Sequence, residues 1–248
     1  MALFEIRDLV KSYGDRRILD GISFDIDAGE VFVILGRSGS GKSVTLRQLN
    51  GLEPPDSGTV VFDGTDLSRL DEKELYPTRR RVAMLFQSGA LFDSFDVFEN
   101  VAFPLNEHTD FSDDEVLARV EAALERVGLR GILDRMPSAL SGGMRKRVAL
   151  ARSLVLEPEV VLFDEPTTGL DPMTSATIGS LIRRNQQDLG VTCVVVTHDL
   201  PLARKVGDRL AFLDQGRFRF LGTWDEADRS EDRLLRDFLS GKEESDAQ

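Results

Sequence analysis

The chain has 248 residues, and its 43 acidic against 31 basic side chains give a net charge of −12. This length suits one large α/β domain or a domain with a small subdomain, and the acidic balance argues against non-specific nucleic-acid binding. No apolar stretch reaches the roughly 20 residues that cross a bilayer, and the first residues run directly into an alternating strand, so we expect neither a membrane span nor a signal peptide. The single cysteine, Cys193, excludes a disulfide within the chain and is predicted to be a buried thiol.

The first part of the chain predicts short strands separated by turns. Strands are expected over 3–9, 22–26 and 59–62, and Gly58 and the pair Asp63-Gly64 flank the last of them. These strands predict a β-rich first part of the chain.

The apolar run 31–35 predicts a buried strand, and the residues after it fit the phosphate-binding pattern G-x-x-x-x-G-K-[ST]. In such a loop the glycines let backbone N–H groups turn inward around a polyphosphate, and the helix expected over 43–50 points its N-terminus at the anion. Lys42 would reach the β- and γ-phosphates, and the Ser43 hydroxyl would hold Mg²⁺. A surface turn would explain neither the lysine nor the flanking strand. The predicted nucleotide-contacting residues are Gly36, Arg37, Ser38, Gly39, Ser40, Gly41, Lys42 and Ser43.

A helical region is expected from about 92 to 156. Ser112 and Glu115 form a capping-box pattern, apolar residues follow at helical spacing, and Gly128 ends the helix. Before the helical region, the basic run 79–81 is interpreted as a solvated face that precedes a strand. Inside the helical region, His108 is interpreted as a solvated residue in a polar loop.

A second chemical motif consists of the apolar run 160–163 followed by Asp164 and Glu165. A buried strand that delivers carboxylates at its C-terminal end places them beside phosphate-bound Mg²⁺. Asp164 is therefore predicted to support the metal, and Glu165 to poise a water for attack on the γ-phosphate. By themselves, two acids at this position could simply mark the end of a strand. Together with the phosphate loop, they favour hydrolysis of the bound nucleotide.

The remainder alternates between helices and strands. Helices are expected from 172 and from 200, and strands over 192–196, 210–213 and 218–221, which predicts a mainly parallel sheet with its ligand at the carboxyl ends of the strands. A short helix over 231–239 either packs on its own domain or contacts a partner. An acidic tail from Gly241 is predicted to be disordered.

The sequence Leu140-Ser141-Gly142-Gly143 resembles the signature of ATP-binding-cassette (ABC) ATPases, and the resemblance extends over 4–222. It implies an α/β P-loop fold with a mainly parallel sheet, an N-terminal antiparallel β subdomain and an inserted α-helical subdomain. The implied organisation is a cassette over 1–222 with the helical part at about 92–156, a helical extension over 223–240 and a tail over 241–248.

The same resemblance gives roles to residues outside the two chemical motifs. Tyr13 would stack on adenine, and Gln87 would sense the γ-phosphate and Mg²⁺. Asp171 would lie in the loop after the catalytic glutamate, and His198 would be the switch histidine. Taken singly, the tyrosine and the glutamine are more typical of surface positions, and it is their order around the stronger motifs that favours function. The implied cofactors are ATP and Mg²⁺, the implied metal residues are Ser43, Gln87 and Asp164, and the implied catalytic residues are Glu165 and His198.

The resemblance also implies partners. In this family the signature grips the γ-phosphate held by a second subunit, which implies a head-to-tail dimer with two ATP molecules sandwiched between Ser141, Gly142 and Gly143 of one copy and the phosphate loop of the other. It implies integral membrane permease subunits, whose short helix would be received by a groove where Leu91, Phe92 or Phe95 is partly exposed.

The sequence departs from the usual ABC signature at Met144, where most ABC ATPases have glutamine or glutamate. This departure narrows the resemblance to a subfamily. With the segments 86–92 and 163–172, this resembles the ATPases of the Mla system, which moves phospholipids between the membranes of Gram-negative bacteria. The resemblance implies a peripheral position on the cytoplasmic side of the inner membrane and a lipid-binding accessory protein. Two alternatives stay open: an ABC transporter for another solute, and a regulatory ABC ATPase that moves nothing.

Overall fold

The computed structural model describes residues 2–241, which form two compact units. The first unit combines the residues up to Leu70 with those from Val195 onward, and the second unit is Asp71–Val194. The tail predicted from Gly241 lies outside the described residues, apart from Gly241 itself. Within 2–241, no helix has the length and apolar character needed to cross a membrane.

Strands and helices alternate along most of the chain. In chain order the strands are β1 (Ala2–Tyr13), β2 (Arg16–Asp27), β3 (Val31–Leu35), β4 (Ser57–Phe62), β5 (Thr65–Asp66), β6 (Val82–Leu85), β7 (Val160–Asp164), β8 (Thr192–Thr197), β9 (Arg209–Asp214) and β10 (Arg217–Thr223). The helices are α1 (Lys42–Leu49), α2 (Glu72–Arg81), α3 (Val97–His108), α4 (Asp113–Arg126), α5 (Gly142–Leu154), α6 (Pro172–Leu189), α7 (Leu200–Val206), α8 (Trp224–Asp228) and α9 (Arg233–Leu239).

The first unit contains an antiparallel sheet with the strand order β2-β1-β4-β5. On β1, Phe4 and Ile6 are buried while Glu5 and Arg7 are exposed, so the period of two gives the sheet one apolar face. Phe4 packs on Phe62 of β4, with ring centroids 4.7 Å apart. This sheet is the predicted N-terminal β subdomain.

Parallel strands complete the first unit. The strand order here is β10-β9-β3-β8, in which β3 and β9 are parallel and β9 and β10 are antiparallel. All five residues of β3 are buried, as in a parallel sheet that is covered on both faces. The boundary between the units falls inside β8, so each unit holds part of that strand.

The second unit continues with the order β8-β7-β6, and β6 and β7 are parallel. Its helices include α3, α4 and α5, and α4 turns Val116, Val120 and Leu124 inward at helical spacing. The predicted capping box is present, because Glu115 Oε2 accepts hydrogen bonds from the backbone N–H of Ser112 at 2.9 Å and from its hydroxyl at 2.8 Å. A mainly parallel sheet, an N-terminal antiparallel sheet and an inserted helical region confirm the predicted fold class.

One local prediction was wrong, and one helix was not predicted. His108 does not lie in a loop: it ends α3, is half-buried, and its Nδ1 lies 2.7 Å from the Oη of Tyr76. The basic run 79–81 directly precedes the strand β6, as expected, and forms the last turn of α2, a helix absent from the sequence prediction. Arg81 is held there by a two-pronged ion pair with Glu159, at 2.6 and 2.7 Å.

Candidate functional site

The phosphate-binding loop joins β3 to α1 in the first unit. β3 ends at Leu35 and α1 begins at Lys42, so the loop lies where the sequence predicts it. Gly41 has a φ of 109°. A Cβ at this position would lie 2.9 Å from the side chain of Leu19 and 3.0 Å from the carbonyl oxygen of Ile18, so only glycine fits there. The helix N-terminus is thereby held open to an anion.

The polar groups inside this loop suit a polyphosphate. Lys42 is buried, and its Nζ donates hydrogen bonds to the carbonyl oxygens of Gly36 at 2.8 Å and of Arg37 at 3.1 Å. The Oγ of Ser40 is buried and has no hydrogen-bond partner within the described part of the chain. A buried hydroxyl without a partner is costly, and an anion that accepts from it would remove the cost.

Two other predicted residues belong to the first unit. Tyr13 ends β1 with 46% of its surface exposed, and its Oη donates to the carboxylate of Glu53. Partial burial, followed by that carboxylate, raises the pKa of Tyr13, so the ring stays a neutral stacking surface. His198 is exposed and follows β8, directly before Asp199, which caps α7 by accepting from the N–H of Leu202 at 3.0 Å.

The acid pair belongs to the second unit, where Asp164 ends β7 and Glu165 follows it. Both carboxylates are in side chains with less than a tenth of their surface exposed, at 6% and 8%. Glu165 has a φ of 46°, a left-handed conformation that is strained in a residue with a side chain. Such strain is found where the surrounding structure fixes a functional residue. Thr168 Oγ1 lies 3.4 Å from Glu165 Oε2 and donates to it.

Gln87 follows β6 in the same unit, with its side chain exposed. Its backbone carbonyl oxygen accepts a hydrogen bond from Nζ of Lys146, a buried residue of α5. Arg152, also on α5, donates to the carbonyl oxygen of Gly89 at 2.9 Å. Sequence reasoning missed both cations. A signal was available for Lys146 alone, because a basic residue near a helix N-terminus opposes the helix dipole, whereas Arg152 lies in the last turn, where the dipole favours a cation.

The signature forms the start of α5. Ser141 is the N-cap, with its Oγ accepting from the N–H of Met144 at 3.3 Å, and Gly142 and Gly143 are the first two helical residues. Asp171 has the same function at α6: its carboxylate accepts from the N–H groups of Met173 and Thr174, both at 3.0 Å. Hydrogen bonds, above all from the Thr174 side chain, lower the pKa of Asp171 and keep it anionic.

In the second unit, three predicted site residues therefore lie near the same cation, Lys146: these are Gln87, Asp164 and Glu165. The predicted metal residues offer a hydroxyl, an amide oxygen and a carboxylate, which are oxygen donors of the kind Mg²⁺ prefers. Among the described residues, no group of three or more His, Cys, Asp or Glu could hold a metal ion.

An apolar surface lies beside Gln87 in the chain. Phe92, Phe95 and Phe103 form a phenylalanine cluster, with centroids 4.9 Å apart for Phe92 and Phe103 and 5.1 Å apart for Phe92 and Phe95. Phe92 is 41% exposed and Leu91 and Phe95 are half-buried, which confirms the expected partial exposure.

Comparisons with known proteins identify the family. A family model described as "ABC transporter" matches residues 19–168, which include the phosphate loop, the signature and the acid pair. The chain is 42% identical over 239 residues to the intermembrane phospholipid transport system ATP-binding protein MlaF of Escherichia coli K12, covering 96% of this chain and 89% of that protein. It is also 42% identical over 238 residues to the probable ribonucleotide transport ATP-binding protein mkl of Mycobacterium leprae, covering 96% and 69%.

Solved structures give the same result. The dimeric post-hydrolysis state of the ATP-binding cassette MJ0796, bound to ADP and phosphate, is 33% identical with a TM-score of 0.83 and covers 89% of this chain and 98% of its own. CbiO1 from Clostridium perfringens, part of the ABC transporter complex cbiONQ, is 33% identical with a TM-score of 0.84 and covers 96% and 95%. The chain is therefore similar both to a cassette that forms dimers and to one that belongs to a transporter complex.

Proposed function

The chain belongs to the ABC transporter family, and we propose that it is the ATP-hydrolysing subunit of a transporter that moves phospholipid between the inner and outer membranes. The observation that carries this proposal is the match to the intermembrane phospholipid relative along nearly the whole of both chains. The phosphate loop, the buried acid pair and the signature helix supply the groups that ATP hydrolysis requires.

The residues of the first unit would bind the nucleotide. The ring of Tyr13 is exposed for stacking on adenine, and the N–H groups of the loop and of the start of α1 would donate to the phosphates. Lys42 would exchange its carbonyl partners for the β- and γ-phosphate oxygens, a stronger charge-assisted contact. His198 would contact the γ-phosphate and orient the attack.

The residues of the second unit would support the chemistry. Glu165 would accept a proton from the attacking water, and its fixed backbone would keep the carboxylate aimed. As the resemblance to ABC ATPases implies, the residues that would hold Mg²⁺ are Ser43, Gln87 and Asp164. Bound there, the ion neutralises charge on the β- and γ-phosphates. Asp171 would act through the loop that it fixes by capping α6.

The ATPase works as a dimer of two copies, and the arrangement we propose is head-to-tail. Ser141, Gly142 and Gly143 begin a helix, so their end of α5 is an anion site that would grip the γ-phosphate held by the other copy. Closing on ATP and reopening on ADP would drive transport, because only ATP favours the closed dimer.

A mixed dimer tests this arrangement. One copy carries Ser141→Arg and the other Lys42→Ala, so that one composite site is intact and the other is doubly broken; about half of the wild-type ATPase rate should remain if the two sites act independently. The matched control places both substitutions on one copy, which leaves every composite site with one defect. Equal rates in the two dimers would contradict sites built from both copies.

The membrane partners are permease subunits, and the phenylalanine cluster would receive a helix from them. We also propose a lipid-binding accessory protein in the same complex and a peripheral position on the cytoplasmic side of the inner membrane. The relatives bearing the phospholipid name are described as parts of an intermembrane system, and a system of that kind needs a carrier between its membranes.

A second candidate is a transporter for another solute, because the relative named for ribonucleotide transport matches equally well. Affinity purification from native membranes, followed by mass spectrometry of partners and bound lipid, separates the two. A multi-span permease with a lipid-binding companion and phospholipid supports the first candidate. A permease with a soluble solute-binding protein and no lipid keeps the ATPase and refutes the substrate.

A further inference from the structure

Lys146 is a cation whose burial needs an explanation. It lies on α5, two residues after Met144, and is 7% exposed. A buried ammonium group costs several kcal/mol unless hydrogen bonds and opposite charges compensate it. Exposure to solvent would avoid this cost, and the neighbouring cation Arg145 is exposed.

The compensation comes from the catalytic region of the second unit. The Nζ of Lys146 donates a hydrogen bond to the backbone carbonyl oxygen of Gln87. Burial lowers the pKa of Lys146, and attraction to the carboxylates of Asp164 and Glu165 opposes that shift. The ammonium group therefore lies in the field of both acids while it holds the backbone of Gln87.

A second cation on the same helix, the half-buried Arg152, provides a comparison. Arg152 donates to the carbonyl oxygen of Gly89 at 2.9 Å, two residues beyond Gln87, and its guanidinium lies 5.6 Å from the centroid of the Phe92 ring. Burial lowers the pKa of Arg152, and no carboxylate contributes to that shift. Both cations fix the segment that follows β6, but only Lys146 acts at Gln87 and faces the acids.

We propose that Lys146 is a positioning residue that fixes Gln87 relative to Asp164 and Glu165 and so sets how well the protein binds magnesium-bound ATP. The inference rests on the proposed function, since it takes Gln87 and Asp164 as metal residues. In this role Lys146 would act through the backbone of Gln87 and not by contact with the nucleotide or the metal. Because Lys146 belongs to α5, the signature helix, it also couples the position of Gln87 to the position of that helix.

The test measures the affinity of the purified full-length chain for AMP-PNP, a non-hydrolysable analogue, by calorimetry in Mg²⁺ and in EDTA. The ratio of the two dissociation constants is the gain in affinity due to the metal. Lys146→Met keeps the apolar stem and removes the charge, and should lower this gain about tenfold, as loss of a group that orients a metal ligand does. Affinity in EDTA should stay within about twofold of wild type, because the phosphate loop is unchanged. Lys146→Arg should restore the gain.

Two further variants make the outcomes distinct. Gln87→Ala should lose the gain as well, and a wild-type gain in this variant would refute the role of Gln87 in the proposed function. Loss in Gln87→Ala with a wild-type gain in Lys146→Met would overturn the positioning role alone. Arg152→Met is the matched control for packing of α5: a loss equal to that of Lys146→Met would also overturn the proposal. Should Lys146→Met fail to fold, Lys146→Gln is judged by the same criteria.

Discussion

Replacing Asn100 with alanine is expected to release the segment that carries the phenylalanine cluster. Asn100 is fully buried on α3, and its amide nitrogen donates to the carbonyl oxygens of Phe92 at 3.0 Å, Phe95 at 3.0 Å and Asp96 at 2.9 Å. Its amide oxygen accepts from the N–H of Phe92 at 2.8 Å. One side chain therefore bonds the N–H of Phe92 and the carbonyl oxygen of Phe95, and adds a second hydrogen bond at the carbonyl oxygens of Phe92 and Asp96, which also accept from backbone N–H groups.

The expected loss of stability follows from these contacts. An amide NH₂ has two hydrogens, so the four contacts amount to about three hydrogen bonds, each worth about 1 kcal/mol net in a folded protein. Asn100→Ala should therefore cost about 3 kcal/mol, which lowers the melting temperature of a chain of this size by about 6–12 °C.

Thermal melting and amide hydrogen exchange at Phe92 measure this effect. Exchange at Phe92 should accelerate in the variant, because its N–H loses the Asn100 oxygen. Asn106→Ala, on an exposed position of the same helix, is the control and should change stability by at most about 0.5 kcal/mol. A loss below about 1 kcal/mol in Asn100→Ala, with unchanged exchange at Phe92, would refute the reasoning.

Three further predictions concern other parts of the chain. Glu165→Gln should lower ATP hydrolysis by at least about 100-fold while retaining ATP, as loss of a general base does; normal turnover would refute the assigned base. Gly143→Ala should lower ATPase activity, because its Cβ would lie 2.5 Å from Thr174 Cγ2, and adding Thr174→Ser, which removes that methyl group, should restore it; no rescue would mean that the clash is not the cause. Burial, followed by repulsion from Arg80, lowers the pKa of His108, so the folded state binds fewer protons than the unfolded state and stability falls as the pH drops below about 6.5. His108→Gln should therefore show a smaller drop in urea midpoint between pH 7.5 and 5.5, and an unchanged drop would contradict this sign.

The fold could be predicted largely from the sequence because its strands are buried runs with sharp ends. The run 31–35 is apolar throughout and is followed by glycines, so β3 and the start of α1 are fixed locally. The same holds for β7, which ends at the first acid. The roles of Tyr13, Gln87, Asp171 and His198 stay predictions, because neither their positions in the structure nor the comparisons test them.

What the sequence could not show depends on partners that are distant in the chain or on weak local patterns. Lys146 is 59 residues from Gln87, and nothing in a basic helix identifies the one carbonyl that a lysine will meet. Helix α2 buries only Leu75 and Thr78 and contains Pro77, so it has no apolar stripe to detect. Its capping box, with Asp71 and Glu74, was the one available signal.

The way residues 87–96 are held has an evolutionary consequence. Lys146, Arg152 and Asn100 grip this segment by its carbonyl oxygens and one N–H, which every sequence except proline at Phe92 would present. The exposed side chains of Asp93 and Ser94 take no part in those contacts. After a gene duplication, substitutions in this segment beyond Gln87 would therefore change the surface offered to a permease, while the path of the backbone and the position of Gln87 are inherited unaltered.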